Sequence, residues 1–596
     1  MSAAMGCGSR QKAVGPTAVA PGSPKGPRSN VTRGDYAGSA ACRPCHPAVV
    51  AAWERSPMHR MTRDALAADI RAPFDGTRFR FKGDTVVLEQ HGPNRFMRVE
   101  PALGDAQTYR VTRVIGGRTR EDFAGVNVRG GDEELVLPVS YVFATRALRY
   151  KGYSVMVHER DGLRAGPVWS RTCIFCHNTV PEMDRLLGAI AGPHSQAYQG
   201  EQVDPWLAED RREHVRITDD AAFARDVGSE MVLLGGASPP AFAAPRRIAR
   251  AAIDVVAQGF DGRALVEVGI GCEACHGGAR QHASDPSVGT SFVPSAPWLD
   301  VALPSGNSAQ AVNRVCARCH QVLFSRYPFT WEGGRRDASA GGSHINSGEG
   351  RDFLLGACSG EMACSTCHDP HGGGAENARL AVRRLATVAG NAVCTTCHTA
   401  LAEPERRRAH AHHDPNGAGG ACVACHMPRK NMGLDGVLTR YHRIGSPTDA
   451  DRVLGDRPLE CALCHADRSV AALINAMEVW WKVRYPRQRL QELYGSLDAN
   501  VMRATLERGK PHEQAVAIAV LGEAGARDAV PLVARSLLSE YPLVREWAKR
   551  SLVSILGRCD VDLGSDDATI AKQARTCGGT ALVPPGAATS SDEPED

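Results

Sequence analysis

Eight copies of Cys-x-x-Cys-His carry the chemistry legible in this chain of 596 residues. The thiol pairs are Cys42 and Cys45, Cys173 and Cys176, Cys272 and Cys275, Cys316 and Cys319, Cys364 and Cys367, Cys394 and Cys397, Cys422 and Cys425, and Cys461 and Cys464. The closing histidines are His46, His177, His276, His320, His368, His398, His426 and His465. Two thiols three residues apart sit on one side of a helical turn and reach two substituents on one edge of a planar ring. The imidazole that follows lies under the ring and donates a nitrogen to iron. The pattern is that of c-type haem attachment and predicts eight covalently bound haem c groups. A zinc ribbon or disulfide framework pairs one Cys-x-x-Cys with another and does not require His next to every copy.

The chain has 21 histidines, so 13 remain after eight serve the motifs. A second His on every iron is affordable in number even without His91 and His512, the weakest candidates. His59 follows the first motif within Trp53-Glu-Arg-Ser-Pro-Met-His59, and His158 precedes the second by fifteen residues. His282 follows the third motif by six residues, His344 sits in a Gly-rich stretch, and His371 closes Cys367-His-Asp-Pro-His371. His410, His412 and His413 precede the seventh motif, and His442 lies in Arg440-Tyr-His-Arg. Of these, His59, His158, His282, His344, His371, His412, His413 and His442 form the expected distal set. His194 and His214 read more simply as solvent-facing. Iron with two His ligands is saturated and suits electron transfer; iron with an open position suits catalysis.

Elements must hold these groups close together. Residues 1–34 read as a disordered tether, and 35–77 as a first haem segment. Alternating, β-branched runs over 78–165 (Phe79-Arg-Phe-Lys, Thr85-Val-Val-Leu-Glu, Thr108-Tyr-Arg-Val-Thr-Arg-Val-Ile) predict a small antiparallel sheet. Residues 166–466 are the haem core with seven motifs, helical over 182–191 and 246–258. Helical spacing returns over 467–558 (Val530, Val533, Ala534, Leu537; Val544, Trp547, Ala548, Leu552), with an echo about 29 residues apart that predicts HEAT-like repeats. Their bland role is a helical cap, the sharper one a partner-binding face. Residues 559–596 read as a disordered tail. The fold class expected is mainly α with little regular structure around the haems, a small β insertion and a C-terminal helical-repeat domain.

Apolar residues are sparse between 270 and 466, so the porphyrins themselves are expected to complete that core. A net charge of +4, lowered further by haem propionates, excludes a nucleic-acid binder. Sixteen of the 20 cysteines are used by the motifs, leaving Cys7, Cys358, Cys559 and Cys577. Haem c is attached outside the cytoplasm, which predicts the periplasm or cell surface. No secretory signal or 18-residue apolar run is visible, which points to a misassigned start. Ala4-Met5-Gly6-Cys7 then reads either as a lipid-anchor site at Cys7 or as an incidental cysteine. Cys559 and Cys577 read either as a disulfide or as two free thiols.

The motifs in their surroundings resemble the bacterial multihaem cytochrome c family with a cytochrome c-554-like haem core. The matching stretches are Tyr36-Ala-Gly-Ser with Trp53 and His59, Glu267-Val-Gly-Ile-Gly-Cys-Glu-Ala-Cys-His-Gly, Cys364-Ser-Thr-Cys-His-Asp-Pro-His and Cys422-Val-Ala-Cys-His-Met-Pro. They cover roughly 35–62 and 166–466. The resemblance implies stacked haem pairs and mostly bis-His iron, with His59, His282, His371 and His442 as the better distal ligands. Octahaem relatives include hydroxylamine oxidoreductases, nitrite reductases and tetrathionate reductases. The chain has no Cys-x-x-Cys-Lys motif, so it lacks the lysine-ligated haem of the nitrite reductase type; a lysine distal to a His-motif haem, as in the tetrathionate type, stays open. The leading expectation is an electron carrier between redox proteins. The rivals are an octahaem oxidoreductase for a small nitrogen or sulfur compound and a haem-bearing assembly subunit.

Overall fold

The structure, a computed structural model, describes residues 26–578 apart from 155, 161, 192–206, 240–242, 258–264, 304–307, 321–328, 330, 334–347, 372–374 and 434. The calls on the tether before residue 26, on Cys7, on His194 and His344, and on the chain after 578 lie outside the described residues.

The alternating stretch folds into a nine-stranded sheet. Its strands are β1 (Thr62–Asp64), β2 (Arg78–Phe81), β3 (Asp84–His91), β4 (Asn94–Glu100), β5 (Gln107–Gly116), β6 (Arg120–Asn127), β7 (Leu135–Val136), β8 (Val139–Val142) and β9 (Ala147–Tyr150). The order is β2-β3-β4-β5-β6-β8-β9, with β1 on β5 and β7 on β6, and every pairing is antiparallel. Alternation buries Val86 and Leu88 of β3 and Met97 and Val99 of β4 on one face. A register shift between Val111 and Arg113 in β5 breaks the alternation there. The sheet is larger than the small insertion expected, because β1 comes from the first haem segment and the strands after 130 are too short to read by pattern.

The C-terminal helices close over this sheet. Helices Pro511–Glu523 and Pro542–Leu556 pack tightly on each other. Their close approach requires glycine at 522: a Cβ there would lie 2.5 Å from Ser551 Oγ. Ser551 and Ser554 hydroxyls donate across the same seam to the carbonyls of Ile518 and Gly522, at 2.8 and 3.1 Å. Val516, Val533, Val544, Trp547 and Leu552 join Phe81, Leu88, Met97 and Phe123 of the sheet in one apolar cluster. Polar contacts pin the seam as well: Tyr153 Oη donates to the Leu563 carbonyl at 2.9 Å, and Lys82 pairs with Glu159 at 2.6 Å and Asp567 at 2.7 Å. A buried knot ties the last haem segment to these helices. Lys430 pairs with Glu460 at 2.8 Å and lies over the rings of Trp331 and Tyr441 at 4.7 and 4.8 Å.

The tail differs from its expectation. Residues Asp567–Gly578 form a helix, and Cys559 bonds to Cys577 with their Cα atoms 5.4 Å apart. Ile570 and Ala574 of that helix are buried against the preceding C-terminal helices, which supplies the apolar surface its composition hides. Before the first motif, Asn30 is also held, its side chain bonding Ser295 N and the carbonyls of Ser291 and Val293.

A second core gathers helices Met183–Ala191, Asp220–Leu233 and Pro245–Ala257 around Trp298. The Asp219 carboxylate caps the middle helix by accepting from Ala221 and Ala222 N–H. The dense motif stretch is built differently. Among the described side chains, none of the buried apolar ones falls between Leu354 and Ala421. That stretch has backbone turns and polar anchors but no protein core of its own.

Candidate functional site

Each motif closes one helical turn. The histidine N–H donates back to the carbonyl of the first cysteine in His46, His177, His276, His320, His368, His398 and His465, at 2.9–3.2 Å. This i to i−4 bond puts both thiols on the same side with the imidazole beneath them. Cys422–His426 is itself a short helix.

Five motif histidines face a second histidine. His46 faces His282 at 6.1 Å between ring centres, His276 faces His371 at 6.0 Å, and His368 faces His442 at 6.3 Å. His426 faces His410 at 6.0 Å and His465 faces His413 at 5.9 Å. An iron bound by two imidazole nitrogens at about 2 Å each sets the ring centres about 6 Å apart. The constancy of the spacing across five unrelated loops fits an iron between each pair.

Hydrogen bonds orient several of these rings. Nδ1 of His282, His413, His426 and His442 meets the carbonyl of Val288, Ala411, Gly445 and Arg440 respectively, at 2.6–3.0 Å. A proton held on Nδ1 leaves the Nε2 lone pair for metal. Burial lowers the pKa of His276, His368, His410 and His426, so these imidazoles are neutral at neutral pH and ready to ligate. His320 differs: burial opposes its charge, but the Glu349 carboxylate, 3.2 Å from Nδ1, raises it to about 9.

The thiols order the motifs in space. The thiols of Cys42 and Cys272, Cys316 and Cys364, and Cys394 and Cys422 lie close enough to interact with one another. Cys275 lies within electrostatic reach of Cys316 and Cys319, Cys367 of Cys394, and Cys425 of both Cys461 and Cys464. The resulting sequence is motif 1, 3, 4, 5, 6, 7, 8. Motif 2 lies beside motif 4, with Cys319 packed on the cluster that holds Phe175 and Cys176.

Some expected ligands lie elsewhere. His158 contacts Tyr541 Oη at 3.1 Å and Glu540 at 3.7 Å, because the loop after β9 that carries it lies against the start of helix Pro542–Leu556. His412 adopts a left-handed backbone (φ 55°) after helix Pro404–Ala411 and stacks on Trp480 at 4.9 Å. That twist sends His410, on the helix, and His413, beyond it, to two different motifs. His410 therefore takes the place expected for His412. Its signal in the sequence is slight: it shares a helix with Pro404 at the first position, which marks where that helix starts. His59 packs on Trp53 at 4.2 Å, and its Nδ1 is buried without a hydrogen bond. Among the described residues no histidine ring lies opposite His177, His320 or His398. His177 is half-buried, and desolvation, with the charges of Lys151 and Arg120 nearby, lowers it to about 4. Lys151 pairs with Asp122 at 3.1 Å, and Asp122 also pairs with Arg120 at 3.1 Å.

A family described as the doubled CXXCH motif matches residues 358–403, which hold the fifth and sixth copies. The multiheme cytochrome MtrA of Shewanella baltica (strain OS185) is 25% identical over 203 residues, 34% of this chain and 43% of MtrA. The chain thus spans less than half the length of that curated relative. The crystal structure of the outer cell wall cytochrome OcwA aligns over 87% of this chain and 100% of its own, at 14% identity and a TM-score of 0.35. The repeated motifs and the sequence matches support a multihaem c-type cytochrome.

Proposed function

We propose that this chain carries electrons between redox partners through eight covalently bound haem c groups, most of them with two histidine ligands. The observation that carries the reading is the set of five His pairs at 5.9–6.3 Å. The bound haems supply reversible one-electron chemistry at iron. The chain's own residues do the rest. The sixteen motif thiols would hold the haems, and the paired histidines would ligate iron: His282 with His46, His371 with His276, His442 with His368, His410 with His426 and His413 with His465. The thiol contacts would hold neighbouring sites at close range along one path.

The setting is the periplasm or cell surface. Covalent haem attachment belongs outside the cytoplasm, and the Cys559–Cys577 disulfide suits an oxidising compartment. No helix among the described residues is long and apolar enough to cross a membrane. The C-terminal helices have one face committed to the sheet, so a partner, if they bind one, meets the opposite face.

The test is iron coordination. Electron paramagnetic resonance and near-infrared magnetic circular dichroism of the holoprotein should show low-spin bis-His iron at five sites or more. Predominantly high-spin iron would defeat the reading.

One observation favours a second reading, an octahaem oxidoreductase for a small nitrogen or sulfur compound. His177 has Lys151, Asp122 and Arg120 as its charged neighbours rather than a histidine ring. A single high-spin haem that binds a small anion, with altered spectrum in Lys151→Ala, would support this reading. An unaltered spectrum in that variant would reject it.

A further inference from the structure

The motifs are joined in pairs by a side chain that recurs at one fixed position. Ser39, Asn313 and Asn391 each stand three residues before the first cysteine of motif 1, 4 and 6. Ser39 Oγ accepts from Cys272 N–H at 2.9 Å, Asn313 Oδ1 from Cys364 N–H at 2.8 Å, and Asn391 Oδ1 from Cys422 N–H at 2.9 Å. In every case the donor is the first cysteine of the motif whose thiol touches the thiol of the motif just downstream of the clamp. The second arm of each side chain holds the same partner loop. Asn313 Nδ2 donates to the carbonyls of Ser359 and Met362, both at 3.0 Å, and Asn391 Nδ2 to that of Gly420 at 2.8 Å. Ser39 Oγ donates to Glu267, at 2.6 Å. All three clamps are buried, Asn313 fully.

The N–H that each clamp satisfies opens the turn of a motif, where a helical start leaves donors without internal partners. A buried acceptor from another motif fills that need and fixes two motif turns against each other. The motifs without such a residue at the same offset include 7 and 8, which meet through Cys425 and Cys461 without this bond.

We infer that Ser39, Asn313 and Asn391 are positioning residues that set the haem–haem geometry of three modules, motifs 1 with 3, 4 with 5, and 6 with 7. The inference rests on the electron-carrier reading and adds to it where strong coupling is built in. The first thiols of the two motifs in a module lie in contact, so haems attached there would be held edge to edge. The clamp holds that edge-to-edge distance, on which electron tunnelling depends steeply.

The experiment compares Asn313→Ala and Asn313→Ser holoprotein with the parent chain. The readouts are haem content, paramagnetic resonance of the oxidised protein and the reduction trace in stopped flow. Asn313→Ala should keep the parent's haem content and low-spin signal, lose the spin-coupled signal of one haem pair, and reduce in an added slow phase. Asn313→Ser, which restores the oxygen that position 39 uses, should recover much of the coupled signal. A coupled signal unchanged in Asn313→Ala overturns the inference. If Asn313→Ala does not mature, Ser39→Ala, which removes one oxygen, decides by the same signal from the first module. A high-spin parent chain would defeat the electron-carrier reading instead, so the two failures are distinguishable.

Discussion

At the scale of single residues, the short run His410–His413 shows how little separates a ligand from a neighbour. One left-handed residue turns three close histidines to three destinations: a motif histidine, a tryptophan face and a second motif histidine. Replacing His410 by alanine should convert one low-spin haem to a high-spin one, seen as a new high-spin resonance. Replacing His412 by alanine should add no high-spin signal to that of the parent chain, because its ring packs on Trp480. A high-spin signal in the second variant would reverse the assignment of the two residues.

At the scale of elements, buried charge decides how the haem core is joined to its supports. Lys430 is buried between Glu460 and two aromatic rings. Lys430→Ala should cost about 3 kcal/mol, the low end for a broken buried pair, since Arg452 still pairs with Glu460 at 3.2 Å. A thermal scan of the holoprotein measures it. In helix Met183–Ala191, burial and the nearby Glu230 raise the Asp184 carboxyl to about 8. Its folded value lies above the unfolded one, so the folded state binds the proton more tightly. The stabilisation is full below the unfolded carboxyl range, near 4, and is lost as pH rises to about 8, by up to ~1.4 kcal/mol per pH unit. Asp184→Asn should flatten that slope and make the protein more stable than the parent above pH 8, read as denaturation midpoints across the range.

At the scale of the whole molecule, two kinds of stability meet. The sheet and the C-terminal helices share one apolar cluster and hold themselves together. The stretch between Leu354 and Ala421 has no buried apolar side chain among those described, and the proposed haems would supply its missing core. Chain produced without haem attachment should therefore be cut by protease first between residues 355 and 420. The sheet and the helices over 467–578 should survive as a resistant fragment, identified by mass spectrometry. Equal cleavage throughout would show that the haems hold up the entire fold.

The sequence alone determined the chemistry of the proximal side. The spacing Cys-x-x-Cys-His is local, one turn of backbone, so the thiols and His46 through His465 were legible without any tertiary fold. The helices over 182–191 and 246–258 and the helical character of 467–558 were legible for the same reason, since their periodicity is local. The tail after 559 was not, because its helix is short and gains its burial from distant partners. Only the tertiary structure decided which histidine meets which motif, that motif 1 lies against motif 3, and that Ser39, Asn313 and Asn391 reach across to another turn. Those contacts join residues 16 to 236 positions apart, from His410 with His426 to His46 with His282, and no local rule sets them. They arise where chain topology brings buried donors and acceptors together and leaves each with one partner.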